Sequence, residues 1–129
     1  MSKEFPNSCD SNAIFNRQLA LSHMEGDVEL LEELARIFLR EFPRMMQNLR
    51  EAVGRKDAPA IAVEAHTLKG AVANFGSVAA VEEASIIERM ARAEDMVGLH
   101  EAFERLESKI ALLKPLLTQV VNEPALSKA

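Results

Sequence analysis

Apolar residues recur at intervals of three and four along most of this sequence. The clearest repeat, in alternating steps of four and three, is Leu99, Phe103, Leu106, Ile110, Leu113, Leu117 and Val120. That spacing places one apolar stripe along a helix, whereas a half-buried strand would alternate at every second residue. Because no segment alternates in that way, the pattern predicts an all-α protein.

A second long stripe follows Asp27, a favourable N-cap residue. Its apolar members are Leu30, Leu31, Leu34, Ile37, Phe38, Phe42, Met45, Leu49 and Val53. Pro43 removes a backbone donor and is expected to kink this helix, since the stripe keeps its phase across the proline. Gly54 is predicted to end the helix, because glycine is favoured just beyond a helix C-terminus.

Capping residues divide the rest of the chain into helices. A short helix is predicted from Asn16 to about His23. Three later helices are predicted to begin at the N-caps Asp57, Ser77 and Asp95, and the first two to end near Gly76 and Ala93. Because the connections are short, neighbouring helices should be antiparallel. The prediction is an up-down-up-down four-helix bundle over residues 12–121 with a short additional N-terminal helix, flanked by flexible segments 1–11 and 122–129.

Composition narrows the class of protein. The chain of 129 residues has 48% hydrophobic residues but no Trp or Tyr, so an aliphatic core in one domain is expected. A net charge of −5 argues against nucleic-acid binding. The single cysteine, Cys9, excludes an internal disulfide and a cysteine-based metal cluster. No signal peptide or membrane-length apolar run is visible, which predicts a cytoplasmic protein.

The predicted third helix carries a histidine on the wrong side for a core residue. At roughly 100° per residue, the apolar side chains of this helix cluster within roughly 60°. They are Ile61, Leu68, Val72 and Phe75. His66 lies roughly 120° or more from any of them, so its imidazole should face solvent. An exposed imidazole is mostly unprotonated at neutral pH and is then a nucleophile. A plain surface histidine is the alternative interpretation.

Two neighbours on the same face indicate what this nucleophile could carry. Lys69 would bring a cation to an anion on His66. Gly70 costs about 1 kcal/mol relative to alanine inside a helix, a cost that room for a bulky group would explain. Close helix packing would also explain Gly70, and solvation would explain Lys69. Taken together, the three residues describe a phosphorylatable histidine.

Glu88 is the second candidate, since the hairpin after Gly76 could bring its carboxylate to His66. A carboxylate that accepts the Nδ1 proton would fix the tautomer and leave Nε2 to attack. A solvated carboxylate is the alternative, because Glu88 is one of 20 acidic residues. The sequence shows neither a glycine-rich phosphate loop nor a pair of metal ligands beside His66.

The run Ala65-His66-Thr67-Leu68-Lys69-Gly70, followed by Phe75-Gly76, resembles the signature of histidine-containing phosphotransfer (HPt) domains, the helical carriers of two-component phosphorelays. The resemblance extends from about Phe15 to Leu117. It implies that His66 accepts a phosphoryl group, with Lys69 beside that group and Gly70 leaving access. Glu88 matches the position where the family has Gln or Glu bonded to the histidine.

The resemblance also implies partners and the absence of a cofactor. Phosphoryl groups would pass between His66 and receiver-domain aspartates, with a hybrid sensor histidine kinase among the partners. Mg²⁺ would belong to the receiver, so this chain would be a phosphocarrier rather than an enzyme. Because it forms one bundle, it is expected to be a monomer, and its charge and hydropathy predict no nucleic-acid or membrane partner. The residues expected to dock a receiver are Ala62, Val63, Lys69, Gly70, Ala73 and Ser77.

Two other functions compete with this interpretation. A helical adaptor could bind a receiver domain or a kinase and inhibit it without phosphorylation of His66. A phosphatase acting on a receiver could use the same exposed face, although the sequence identifies no acid–base pair.

Overall fold

Residues 11–123 are described by a computed structural model of the chain, and the predictions for residues 1–10 and 124–129 lie outside this range. Its helices are α1 (Ser11–Ile14), α2 (Arg17–His23), α3 (Val28–Arg55), α4 (Ala58–Ala73), α5 (Val78–Arg92) and α6 (Leu99–Asn122). No strand occurs in this part of the chain. The all-α prediction is confirmed, and α1 is a short helix that the sequence pattern did not reveal.

The four long helices form the bundle. Consecutive long helices pack against each other, and α3 also packs against α6, which closes the ring. All seven apolar residues of the repeat in α6 are buried. The buried residues also include the predicted Ile61, Leu68 and Val72 of α4, and Phe75 in the turn that follows this helix. None of the helices in residues 11–123 is long and apolar enough to cross a membrane.

Three of the predicted N-caps are confirmed by hydrogen bonds. The side chains of Asn16, Asp27 and Asp57 each accept a backbone N–H from three residues further on. These bonds satisfy amide donors that the first turn of a helix leaves unpaired.

The prediction that a helix begins at Ser77 is confirmed, whereas the prediction for Asp95 was wrong. Ser77 occupies the N-cap position of α5, but its side chain makes no capping bond. Asp95 lies in the loop before α6 and accepts the Val97 N–H, an Asx-type turn that competes with helix capping. As a result α6 begins only at Leu99, after Gly98 at φ +79°.

The predicted end of α3 was also wrong. The helix runs through both Pro43 and Gly54 and ends at Arg55, and its C-cap Lys56 adopts the left-handed conformation at φ 55°. Asp57 immediately caps α4, so the reversal must occur at Lys56. On the stripe of α3, Met46 is buried in the core where Met45 was expected, and Leu30 is exposed.

The turn between α4 and α5 is anchored by the N-terminal segment. The Asn16 N–H donates to the carbonyl of Phe75 over 3.1 Å. Phe75 is buried, and its ring centroid lies 5.6 Å from that of Phe38 on α3. Gly76 follows at φ +62° and packs directly against Asn16. These contacts fix the end of the α4–α5 hairpin.

Candidate functional site

His66 lies in the middle of α4 and faces away from the core, as predicted. Its side chain is 64% exposed, whereas Leu68 and Val72 of the same helix are completely buried. The helical phase therefore presents the imidazole to solvent on a rigid element of the bundle.

Glu88 of α5 contacts this imidazole, which confirms the expected juxtaposition. Its Oε2 lies 3.1 Å from His66 Nδ1, and the Glu88 side chain is only 8% exposed. An ionised carboxylate can only accept hydrogen bonds, so Nδ1 must carry the proton. No hydrogen bond within residues 11–123 uses the other ring nitrogen. In the neutral imidazole the lone pair then lies on Nε2, on the exposed side of the ring.

Lys69 is bound to the same carboxylate. Its Nζ lies 2.7 Å from Glu88 Oε1, and its side chain is partly buried. In this structure the cation predicted beside His66 thus forms an ion pair with Glu88. It remains one helical turn from the imidazole, three residues along the same face of α4.

Arg92 is a member of the site that the sequence analysis missed. Its Nη2 and Nε lie 2.7 Å and 3.2 Å from Glu88 Oε2. The available signal was the spacing, since a glutamate four residues before an arginine is a favourable pair on a helix. Glutamate–arginine pairs at this spacing are common on exposed helices. The pair of Glu88 and Arg92 differs from them only because Glu88 is buried, which the sequence does not show.

The two cations keep Glu88 ionised. Hydrogen bonds from Lys69 and then Arg92 are the largest influences, and together with the bond from His66 they lower the pKa of Glu88 from 4.5 to about 2. Burial opposes this shift, because it disfavours the charged carboxylate. The acceptor for the Nδ1 proton is consequently a carboxylate at any pH near neutrality.

Gly70 has no packing role in the described structure. It is exposed, and a Cβ atom added to it would meet nothing within 4 Å. Close helix packing, the competing explanation for this glycine, is therefore excluded within the bundle. The absence of a side chain at Gly70 leaves open space beside His66.

The expected docking residues divide into exposed and buried groups. Val63 is 62% exposed and Gly70 is also exposed, while Lys69 and Ala73 are partly covered. Ala62 is largely buried. Ser77 is completely buried and its hydroxyl has no hydrogen-bond partner, so it offers a partner no surface. The expectation that Ser77 belongs to the docking surface is therefore corrected.

A groove of about 540 Å³ runs beside His66, between the first half of α4 and the end of α5. Small or apolar residues of α4 line it with Arg92 of α5: Ala58, Pro59, Ala62 and Val63. The groove extends the exposed surface around His66 towards Arg92.

Residues 11–123 contain no group of three or more His, Cys, Asp or Glu side chains that could hold a metal ion. His100 pairs with Glu104 over 3.1 Å on the exposed face of α6. This pair is an ordinary i, i+4 contact.

Two solved structures share the fold of this chain. The HPT domain of an Hpt sensor hybrid histidine kinase from Shewanella is similar at 18% identity, with a TM-score of 0.79 over 89% of this chain and 99% of that chain. Histidine-containing phosphotransfer protein B (HptB) from Pseudomonas aeruginosa PAO1 is similar at 22% identity, with a TM-score of 0.78 over 85% of this chain and 96% of that chain.

The family of this chain follows from its sequence. No curated protein sequence matches the chain significantly. The family model of the Hpt domain matches residues 33–122, well over half of the 129 residues. The matched range contains His66 and all three side chains that surround it. The chain therefore belongs to the Hpt domain family, the phosphocarrier proteins that pass phosphoryl groups through histidine in phosphorelays.

Proposed function

We propose that His66 is the residue through which this Hpt domain transfers phosphoryl groups. Its Nε2 would accept the group from an aspartyl phosphate of a receiver domain and pass it to another receiver aspartate. The observation that carries the proposal is the exposed imidazole with Nδ1 held 3.1 Å from the Glu88 carboxylate. An imidazole held in this tautomer can attack without first losing a proton.

The chemical step follows from this arrangement. The Nε2 lone pair forms an N–P bond while the O–P bond of the aspartyl phosphate breaks. The electron pair of the broken bond leaves with the aspartate carboxylate. The imidazole keeps its Nδ1 proton and becomes positively charged. Glu88, already ionised, stabilises that charge as it develops. The reverse transfer uses the same contacts, so phosphoryl groups can pass in either direction.

This chain would contribute to phosphoryl transfer by positioning the nucleophile and by stabilising charge. We propose that Lys69 neutralises charge on the phosphoryl oxygens. Gly70 would leave room for the incoming receiver. The chain would need no nucleotide or metal site of its own, and the receiver would bring the Mg²⁺ that neutralises the rest of the charge.

Receiver domains and hybrid histidine kinases are the partners of Hpt domains in phosphorelays. We propose that a receiver docks over Val63, Gly70 and Ala73, with the partly covered Lys69 and the largely buried Ala62 at the edge of this surface. We also propose that the chain acts as a cytoplasmic monomer, because its partners must reach His66 in succession.

The test is phosphotransfer from receiver domains labelled with ³²P-acetyl phosphate, with wild type and His66→Gln as acceptors. We expect label on the wild type only, in an acid-labile form that indicates phosphohistidine. His100→Gln, which removes another exposed histidine, should be labelled like the wild type. Label that persists in His66→Gln would refute the assignment. Receiver binding without any label would instead support the adaptor function.

A further inference from the structure

Three side chains contact one buried carboxylate at the site. Lys69 Nζ forms an ion pair with Glu88 Oε1, while Oε2 accepts hydrogen bonds from both His66 Nδ1 and Arg92. The two cations therefore occupy different oxygens. Only Arg92 shares an oxygen with the histidine.

The two cations also differ in where they are attached. Lys69 lies on α4 with His66, and its flexible chain ends in a point charge that can turn towards a group on Nε2. Arg92 lies on α5, one turn beyond Glu88, and donates hydrogen bonds to Oε2 from two nitrogens of its planar guanidinium. Lys69 can leave Glu88 without disturbing Oε2, the oxygen that is bonded to the imidazole. Departure of Arg92 would disturb that oxygen, because Arg92 is bonded to it directly.

We propose that phosphorylation of His66 moves Lys69 from Glu88 to the phosphoryl group, and that Arg92 is the positioning residue that keeps Glu88 ionised and bonded to His66 Nδ1 throughout. This inference rests on the proposed phosphorylation of His66. It assigns the two cations separate roles, one towards the phosphoryl group and one towards the carboxylate.

The need for Arg92 follows from the burial of Glu88. A carboxylate that is 8% exposed and loses its lysine would be driven towards protonation by desolvation if no second cation remained. A protonated Glu88 is a weaker acceptor for the Nδ1 proton, and the tautomer would no longer be fixed. A glutamine at position 88 would need no cation at all. Arg92 is thus required because this chain has a glutamate there.

This dependence can be measured with a double-mutant cycle of Arg92→Gln and Glu88→Gln. The donor is phosphoramidate, which phosphorylates histidine without a partner protein, and ³¹P NMR follows the phosphohistidine on His66. We expect Arg92→Gln to slow phosphorylation about tenfold when Glu88 is present, as for the loss of a charge-assisted hydrogen bond. In the Glu88→Gln background the same change should have less than about a twofold effect.

Two controls accompany the cycle. Arg89→Gln removes the same charge from an exposed position on α5 and should leave the rate unchanged. His66→Gln identifies any signal from the other histidines. An equal slowing by Arg92→Gln in both backgrounds would overturn the proposal, because Arg92 would then act on the phosphoryl group directly.

A second measurement needs no phosphorylation. Ring ¹⁵N chemical shifts of His66 report which nitrogen carries the proton. We expect Lys69→Ala to leave the Nδ1–H tautomer unchanged while slowing phosphorylation of His66, and the double variant Lys69→Ala/Arg92→Gln, which leaves Glu88 without a cation, to reduce that tautomer. If Lys69→Ala alone disturbs the tautomer as much as the double variant, the division of roles is wrong. Failure of transfer from receivers would refute the proposed function but would leave this tautomer result standing.

Discussion

His66 Nδ1 and Glu88 Oε2 lie 3.1 Å apart although 22 positions separate the two residues in the chain. The turn after α4 brings them together, because α5 returns antiparallel along the face of α4 beside the histidine. This one contact joins the exposed nucleophile to a buried charge. Its strength depends on the two cations that share the carboxylate.

Replacement of Glu88 by glutamine should remove a pH-dependent part of the stability. Because the pKa of Glu88 is lowered from 4.5 to about 2 in the folded protein, its contribution is complete above pH 4.5 and is lost as the pH falls towards 2. The shift corresponds to about 3 kcal/mol, which solvent screening around Arg92 reduces to roughly 1–2 kcal/mol. Urea denaturation across this pH range should show wild type and Glu88→Gln converging in acid.

The matched control for that prediction is Glu82→Gln, an exposed glutamate on the same helix. It should follow the wild-type stability curve across the same range. A constant difference in the free energy of unfolding between wild type and Glu88→Gln from neutral to acid pH would contradict the charge argument.

A large side chain at Gly70 should stabilise the helix but slow phosphoryl transfer from a receiver. Gly70→Gln should raise helix stability by up to about 1 kcal/mol, since a Cβ meets nothing within 4 Å. It should also slow transfer from a phosphorylated receiver by at least about tenfold, as the new side chain fills the space beside His66. Gly54→Gln in α3 is the control, because a Cβ there also meets nothing within 4 Å. Rapid transfer to Gly70→Gln would show that the glycine does not serve access.

Gly76 should tolerate no side chain. It adopts φ +62°, and a Cβ would lie 2.9 Å from the carbonyl oxygen of Asn16. The backbone strain costs about 1 kcal/mol, and the clash adds roughly 1–3 kcal/mol, so Gly76→Ala should lower the unfolding midpoint clearly. Gly26→Ala carries the strain at φ +79° without a neighbour within 4 Å. Equal losses in the two variants would contradict the predicted clash.

Ser77→Ala should leave phosphotransfer unchanged. The side chain is buried and its hydroxyl has no hydrogen-bond partner, so alanine removes an unsatisfied group without altering the docking surface. The free energy of unfolding should stay the same or rise by up to about 1 kcal/mol. Receiver titrations and urea denaturation test both points, and weakened transfer with intact stability would return Ser77 to the docking surface.

Local patterns predicted the helices but placed several of their ends wrongly. The stripe of α6 and the caps at Asn16, Asp27 and Asp57 depend on neighbours within one or two turns, which a sequence displays directly. The end of α3 was misplaced, because the need to begin α4 at Asp57 overrides the preference for glycine at a C-terminus. Likewise, Asp95 satisfies a loop amide instead of a helix.

The sequence by itself determined an exposed His66 and its position on a helix with Lys69 and Gly70, since these relations follow from the period of one helix. Tertiary structure decided which of the acidic residues reaches His66, that Lys69 pairs with Glu88, and that Arg92 completes the cluster. Those contacts depend on the rotation of α4 against α5 and on the burial of a single carboxylate. Both are set by the packing of the whole bundle, because the core fixes the angle at which each helix presents its side chains.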